Sequence, residues 1–482
     1  MEHLERLVRE LVPLPAETAW VEFKENMADP KTIGKNISAL ANAAALYEKN
    51  QAYMVWGIHN ATHEITGTVF DYRTCKTGNE ELFNWLLRLL SDNAHFEFSS
   101  ITMDGKPLVV LSIGKAFEKT VMFEKTEYVR VGSYTKKLND YPELKTQLWD
   151  RLRNTRFESL FAKTNLQTAE VLALLNYPAY FDLRNAPLPS GPDGILHYLL
   201  EEGIVVKQDN GLFSITNLGA ILFAKKLDDF SSVKRKALRI VQYKGKDKLE
   251  MLREHTVTKG YASGFEGMLE YVESLLPATE TIHAALRKTV TAYPSLALRE
   301  TIGNALIHQD LAATGTGPVV EIFSNRIEIT NPGVPLIDVA RIIDNPPKSR
   351  NEQLASLMRR LRICEELGTG WDKIVISCEK YQLPAPRIDV YEDSAKVTLF
   401  AHQPFGEMSQ EDRIRACYQH ASLKQVCGEQ MSNASLRERF GLESTASAQI
   451  SRLIRDTQNA GLIRPYDPAT APKHMRYIPY WA

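Results

Sequence analysis

Two groups of polar residues have the types and spacing for chemistry at phosphates. In LRETIGNALIHQD, residues 298–310, Glu300 and Asn304 stand four apart, and His308 follows four later. On a helix that spacing puts the three on one face, with Ile302, Ala305, Leu306 and Ile307 turned elsewhere. A carboxylate and an amide on one face can position a water and a Mg²⁺ ion, whose hardness favours oxygen ligands. The second group is ETAWVEFK, residues 17–24, with Glu17, Glu22 and Lys24. On a strand Glu22 and Lys24 point to the same side. Two carboxylates and a lysine can hold a divalent metal and orient water at a phosphodiester. Taken alone, the first group also reads as a solvated helix face and the second as a strand-edge ion pair.

These residues need elements to position them. The chain has 482 residues, 44% of them apolar and 24% charged. That length suggests about three or four domains, and the composition excludes disorder over most of the chain. A formal net charge of −1 supplies no global basic field, so nucleic-acid binding must come from a local patch. The charged, amphipathic start and the lack of an 18-residue apolar run predict a cytoplasmic protein with no membrane partner. The five cysteines form no CxxC pair, which argues against a structural zinc site or a disulfide framework.

Four segments are expected. Residues 1–150 read as an α+β domain. Helices are expected near 1–12 and 31–47, and strands at 20–24, 52–58, 64–68, 96–103, 107–113 and 127–131. Asp104-Gly105 marks a hairpin turn. Residues 151–235 read as helix, helix, hairpin, a winged-helix pattern without a basic wing, and so as a spacer. Residues 236–402 alternate apolar strands (237–243, 319–324, 326–330, 396–400) with helices near 264–276, 296–308 and 351–361, an α/β layer domain. Residues 403–482 open on the linker Gln403-Pro404-Phe405-Gly406 and give three helices, near 409–427, 432–440 and 444–461, followed by a wing with Lys473 and Arg476 on its return strand.

No GxxxxGK[ST] occurs, which excludes a P-loop. The helix bearing Glu300 and Asn304 is instead followed by a strand pair, then Thr330-Asn331-Pro332-Gly333, then Gly368-Thr369-Gly370. This order resembles the GHKL ATPases, with NALIHQD similar to their N box and TNPG and GTG to their two glycine boxes. More closely, it resembles the divergent ATPase domain of bacterial proteins that also carry a Schlafen-type AlbA domain. The resemblance implies a GHKL-like α/β sandwich that binds ATP with Mg²⁺, Mn²⁺ being an alternative ion. Asn304 would ligate the metal, and Glu300 would polarise the attacking water. Asn331 would face the adenine amino group, and Gly333 would allow close approach. Gly368, Thr369 and Gly370 would meet phosphate oxygens, with His308 and Arg350 beside them. Ser349-Arg350-Asn351 opens the next helix and would add a phosphate contact. Asn331 stands where that family has Asp, so binding is implied more strongly than fast hydrolysis.

ETAWVEFKEN, IGKNISALANAA and YMVWGIHNATHEITGT resemble the AlbA-type domain of the Schlafen family, some of whose members are RNA endonucleases. Glu17 and Glu22 match the first two carboxylates of the nuclease members, and Lys24 completes the candidate catalytic set. The third acidic position is taken by His59-Asn60, with Asp71 nearby. Lys31 and Lys35 are the phosphate-contact candidates of this domain. In the last segment Ser447, Gln449, Arg452 and Arg455 would read bases, and Arg464, Lys473 and Arg476 would clamp backbone. The tail resembles that of the same bacterial AlbA–ATPase proteins. The expected function is a nucleotide-switched, homo-oligomeric protein that binds DNA or RNA, in transcription regulation or defence. The alternative is a metal-dependent, ATP-gated nuclease.

Overall fold

The structure is a computed structural model. It describes residues 2–14, 18–154, 156–208, 211–276, 278–283, 286–291, 293–364 and 370–482. They form two compact units: Met1–Leu175 with Leu188–Ala220 and Asp229–Lys234, and Asn176–Pro187 with Ile221–Asp228 and Arg235–Ala482. The whole is a mixed α/β multidomain architecture.

The first unit is built on a four-stranded sheet in the order Val21–Lys24, Gln51–Trp56, Lys106–Gly114, Phe96–Met103. The first pair is parallel and the other two antiparallel. Both faces are covered, which explains the near-continuous apolar runs in the central strands. Ala52, Met54 and Trp56 enter one core with Val109, Leu111 and Ile113. Tyr53 and Val55 enter the other with Leu108 and Val110. The helix Pro30–Leu46 fills the first core. Asp29 caps it by accepting from Thr32 N at 2.9 Å, and Pro30 takes the first helical position, where its missing N–H costs nothing. A small sheet, Met122–Phe123, Thr126–Val131 and Tyr134–Lys137, packs on this helix. Farther along, Phe161–Leu166, Phe213–Thr216 and Val205–Lys207 form a three-stranded sheet with the helices Thr168–Leu174 and Pro192–Glu201.

The second unit carries a six-stranded sheet. Its order is Met251–Thr256, Arg239–Tyr243, Val319–Ile322, Arg326–Pro332, Ser394–Phe400, Arg387–Val390. Only the Arg239–Tyr243 and Val319–Ile322 pair is parallel. The helix Ser295–His308 packs on the strand Arg326–Pro332 and between the helices Tyr261–Ser274 and Gly370–Lys380. Beyond the sheet come the helices Gln410–Val426, Asn433–Arg439 and Ser447–Asn459. The antiparallel strands Ile463–Pro465 and Tyr477–Pro479 follow, and Met431 bridges to Tyr477.

Three expectations need correction. Residues 64–68 form no strand. Ile65 makes a single bridge to Ile58, and Thr66 N and Gly67 N both donate to the Gly57 carbonyl. Gly67 then turns the chain away with φ +83, a conformation glycine tolerates. Lys473 and Arg476 lie on no return strand: Lys473 sits in the short turn Pro472–His474, and Arg476 precedes the strand Tyr477–Pro479. The helices Leu82–Leu89, Pro142–Asn154 and Gly370–Lys380 were not expected.

Candidate functional site

The helix Ser295–His308 supplies one wall of a cavity of about 660 Å³, a size suited to a small-molecule ligand. Glu300, Asn304 and His308 all line it, as their spacing requires. Ile337, Ile342, Pro347, Ile388 and Val397 add apolar lining. Asn331, at the end of the strand Arg326–Pro332, is buried and lines the same space. Gly333 follows with φ +97. A Cβ there would come within 3.0 Å of Asp310 Cβ and backbone N and 3.3 Å of Arg350 Cζ, so only glycine fits this turn.

Asp310 and Arg350 fasten the corner. Asp310 N donates to the Pro332 carbonyl at 2.7 Å. Arg350 pairs with the Asp310 carboxylate at 3.4 Å and donates to the Val334 carbonyl at 2.6 Å. Asn351 was expected among the phosphate contacts. Its buried side-chain amide instead donates to the Ile307 and Gln309 carbonyls, both at 2.7 Å. It thereby satisfies carbonyls at the end of the helix that bears Glu300.

Gly370 opens the helix Gly370–Lys380 against the same wall. A Cβ there would stand 2.9 Å from Glu300 Oε2 and 3.6 Å from Asn304 Nδ2. Glycine leaves the backbone bare at that helix start, where N–H groups favour an anion. Trp371 also lines the cavity, and its buried indole N–H has no hydrogen-bond partner among the described residues. Gly368 and Thr369 lie outside the described residues. Burial, with the Arg350 charge adding to it, lowers the His308 pKa to about 4, so the ring is neutral at pH 7. Burial, reinforced by Glu300, pushes the Cys364 thiol up to about 12, and that thiol is not a nucleophile at neutral pH. Among the described residues no cluster of three metal-binding acids, histidines or cysteines exists. Two oxygen donors beside a glycine cradle fit a hard divalent cation that would take its remaining ligands from phosphate and water.

The first unit's candidates are arranged differently. Glu22 is buried, and each of its oxygens meets a cation. Lys24 Nζ stands 2.7 Å from Oε1, and Arg130, itself 1% exposed, pairs with Oε2. Arg130 has no signal near Glu22 in the sequence; the fold brings it there. With its amide turned, Asn60 donates to the Phe23 carbonyl and accepts from Lys24 Nζ at 3.3 Å. His59 Nε2 stands 3.5 Å from Glu25, and Asp71 pairs with Arg73 at 2.9 Å. Glu17 lies outside the described residues. Lys31 is exposed near the start of Pro30–Leu46, and Lys35 is half-buried one turn on.

In the last segment Ile450, Leu453, Ile454 and Thr457 are the buried side of Ser447–Asn459. Ser447, Gln449, Arg452 and Arg455 are all exposed on that helix, as are Arg464, Lys473 and Arg476 beyond it.

The folds and clusters described above agree with what the chain resembles. Residues 17–139 match the family model "Schlafen, AlbA_2". Residues 315–399 match the HATPase_c_4 model, described as "Putative ATP-dependent DNA helicase recG C-terminal". The chain therefore carries a Schlafen-type AlbA domain and, in its C-terminal region, a GHKL-like ATPase domain. No curated protein matches it. Among solved structures, the DIP2311 protein from Corynebacterium diphtheriae aligns over 99% of this chain and 97% of its own, at 15% identity and a TM-score of 0.43. No described helix is long and apolar enough to cross a membrane.

Proposed function

We propose that the chain is an ATP-binding, nucleotide-switched protein that acts on nucleic acid. One observation carries the switch. The stretch 334–349 lines the cavity with Leu336, Ile337, Ile342 and Asn345, and the C-terminal segment grips the same stretch. Tyr418 donates to the Ala340 carbonyl, Trp481 Nε1 donates to Tyr418 Oη at 3.2 Å, and Arg341 lies over the Trp481 ring at 5.5 Å. A nucleotide that orders this lid also moves what the C-terminal segment holds. Three helices followed by a two-stranded hairpin support a winged helix there, with Gln449, Arg452 and Arg455 toward DNA or RNA.

Within the cavity Asn331 presents an amide to the base. Asn304 offers an amide oxygen, Glu300 orients water, and the Gly370 backbone meets phosphate oxygens. Bound Mg²⁺ would supply charge neutralisation at the phosphates. Glu22 supports binding over cleavage in the AlbA-type domain. A carboxylate paired with two cations has little charge left for a metal, and neither His59 nor Asn60 replaces it.

Calorimetric titration with ATP and Mg²⁺ tests the reading. Asn304→Ala should weaken binding at least tenfold and remove any ATP effect on a nucleic-acid mobility shift. Unchanged ATP affinity in that variant sinks the assignment. Metal-dependent cleavage of RNA or DNA that is lost in Glu22→Gln would favour the nuclease alternative.

A further inference from the structure

Arg130 links Glu22 to a second cavity. It donates to Thr135 Oγ1 at 3.3 Å, and the Thr135 hydroxyl donates to Asn36 Oδ1 at 2.7 Å. Thr135 and the buried Asn36 line a cavity of about 420 Å³ together with Thr32, Lys35, Tyr128, Lys136, Lys137 and Asp140. It lies between the start of the helix Pro30–Leu46 and the hairpin of Thr126–Val131 with Tyr134–Lys137. Arg130 pairs with Thr135 and Tyr128 with Lys137 across that hairpin, so these four side chains share a face. The helix clamps the aromatic position from behind. Ser38 Oγ accepts from Tyr128 N at 3.2 Å, and Asn42 Nδ2 donates to the Tyr128 carbonyl at 2.8 Å.

The charges favour an anion. Lys35 and Lys137 outnumber the one carboxylate residue of the lining, Asp140; Lys136 borders the cavity from the other face of the hairpin, its Nζ over the Tyr134 ring at 5.7 Å. Asp29, at the helix start, is engaged by the Thr32 hydroxyl at 2.6 Å. Arg130, paired with Glu22 in a cluster that also holds Lys24, fixes Thr135 from behind the lining. The geometry points to a seat for one phosphodiester of a single nucleic-acid strand, with Lys35 and Lys137 on the phosphate and the Tyr128 ring against the adjoining base. This rests on the reading of the first unit as nucleic-acid-binding. A single strand suits a recessed site that pairs cations with an aromatic face. A duplex reader instead projects a helix or ribbon into a groove.

Fluorescence anisotropy on the full chain at fixed salt tests this, with labelled oligo-dT and oligo-U and a labelled duplex as probes. Lys137→Glu should weaken single-strand binding about tenfold and lower the salt slope by about one. Tyr128→Leu should weaken it similarly, and Tyr128→Phe should restore it. Lys137→Glu is an exposed change, so it reports even where Tyr128→Leu fails to fold. Single-strand affinity and salt slope unchanged in Lys137→Glu, with binding lost in Arg452→Glu, overturn this seat and leave the nucleic-acid reading standing. No binding of any probe by the unaltered chain overturns both.

Discussion

Glu22 and His308 show at the residue scale how neighbours decide what a titratable group can do. Glu22 sits where a metal ligand was expected, but Lys24 and Arg130 already occupy its two oxygens. Desolvating such a cluster is costly, and only complete pairing offsets that. His308 shares the cavity wall with Glu300 and Asn304, yet it cannot serve as a cation at neutral pH. Its folded pKa is about 4 against 6.5 for the free side chain, through burial first and Arg350 second. Between pH 6.5 and 4 the unfolded chain takes up a proton that the folded chain refuses. The unfolded state then binds more protons, so His308 removes stability as pH falls through this window and has no effect above it. Urea midpoints of the native chain and of His308→Gln should therefore converge as pH falls from 7 toward 4.5, the native chain losing more. Parallel pH curves for the two proteins would contradict the half-buried, neutral ring.

At the scale of elements, the helix Pro30–Leu46 was legible almost to the residue. Its apolar period is strong, and Asp29 and Pro30 mark its start. The run at 64–68 misled because Ile, Thr and Thr carry strand propensity, whereas Gly67 takes a left-handed turn. The helix Gly370–Lys380 was missed because its first residue was read as the end of a glycine box. The spacing of Glu300, Asn304 and His308 announced a shared face, and the cavity gathers all three. Arg130 carries no local signal; only the folded chain brings it to Glu22, and brings Asp310, the last residue of the N-box-like run, to Arg350. Close packing on Pro30–Leu46 gives a sharp test. Gly34 faces the Phe123 ring, and a Cβ there would approach Cε2 to 2.2 Å. Phe123 is fully buried and has little room to move, so Gly34→Ala should cost about 1–3 kcal/mol through overpacking. That would offset the roughly 0.5–1 kcal/mol by which alanine favours a helix interior. Chemical denaturation measures the difference, and a stabilised Gly34→Ala would show that the ring moves aside freely.

For the whole second unit, the issue is how one small cavity could influence a distant surface. The helix Gly370–Lys380 begins against Glu300 and Asn304, and its far end is held by the C-terminal segment. Glu379 pairs with His420 Nδ1 at 3.0 Å and lies 3.9 Å from Arg439 Nε. Arg439 donates to the Leu383 carbonyl at 2.8 Å, and His420 Nε2 stands 3.2 Å from Ser435 Oγ. With the Tyr418 bond to Ala340, the C-terminal segment touches two of the stretches that line the cavity. On the proposed reading occupancy and C-terminal order are linked, and the linkage is reciprocal, about 1–3 kcal/mol for a working switch. Hydrogen exchange can read it. ATP with Mg²⁺ should slow exchange in 334–349 and also in Gln410–Val426. Tyr418→Phe deletes one hydroxyl and keeps the ring. It should leave ATP affinity within about threefold while reducing the protection carried to Gln410–Val426. If ATP protects only residues lining the cavity in the native chain, the C-terminal segment is a passive neighbour and the switch is refuted; protection that spreads and then fades in Tyr418→Phe identifies the lid contact as its path.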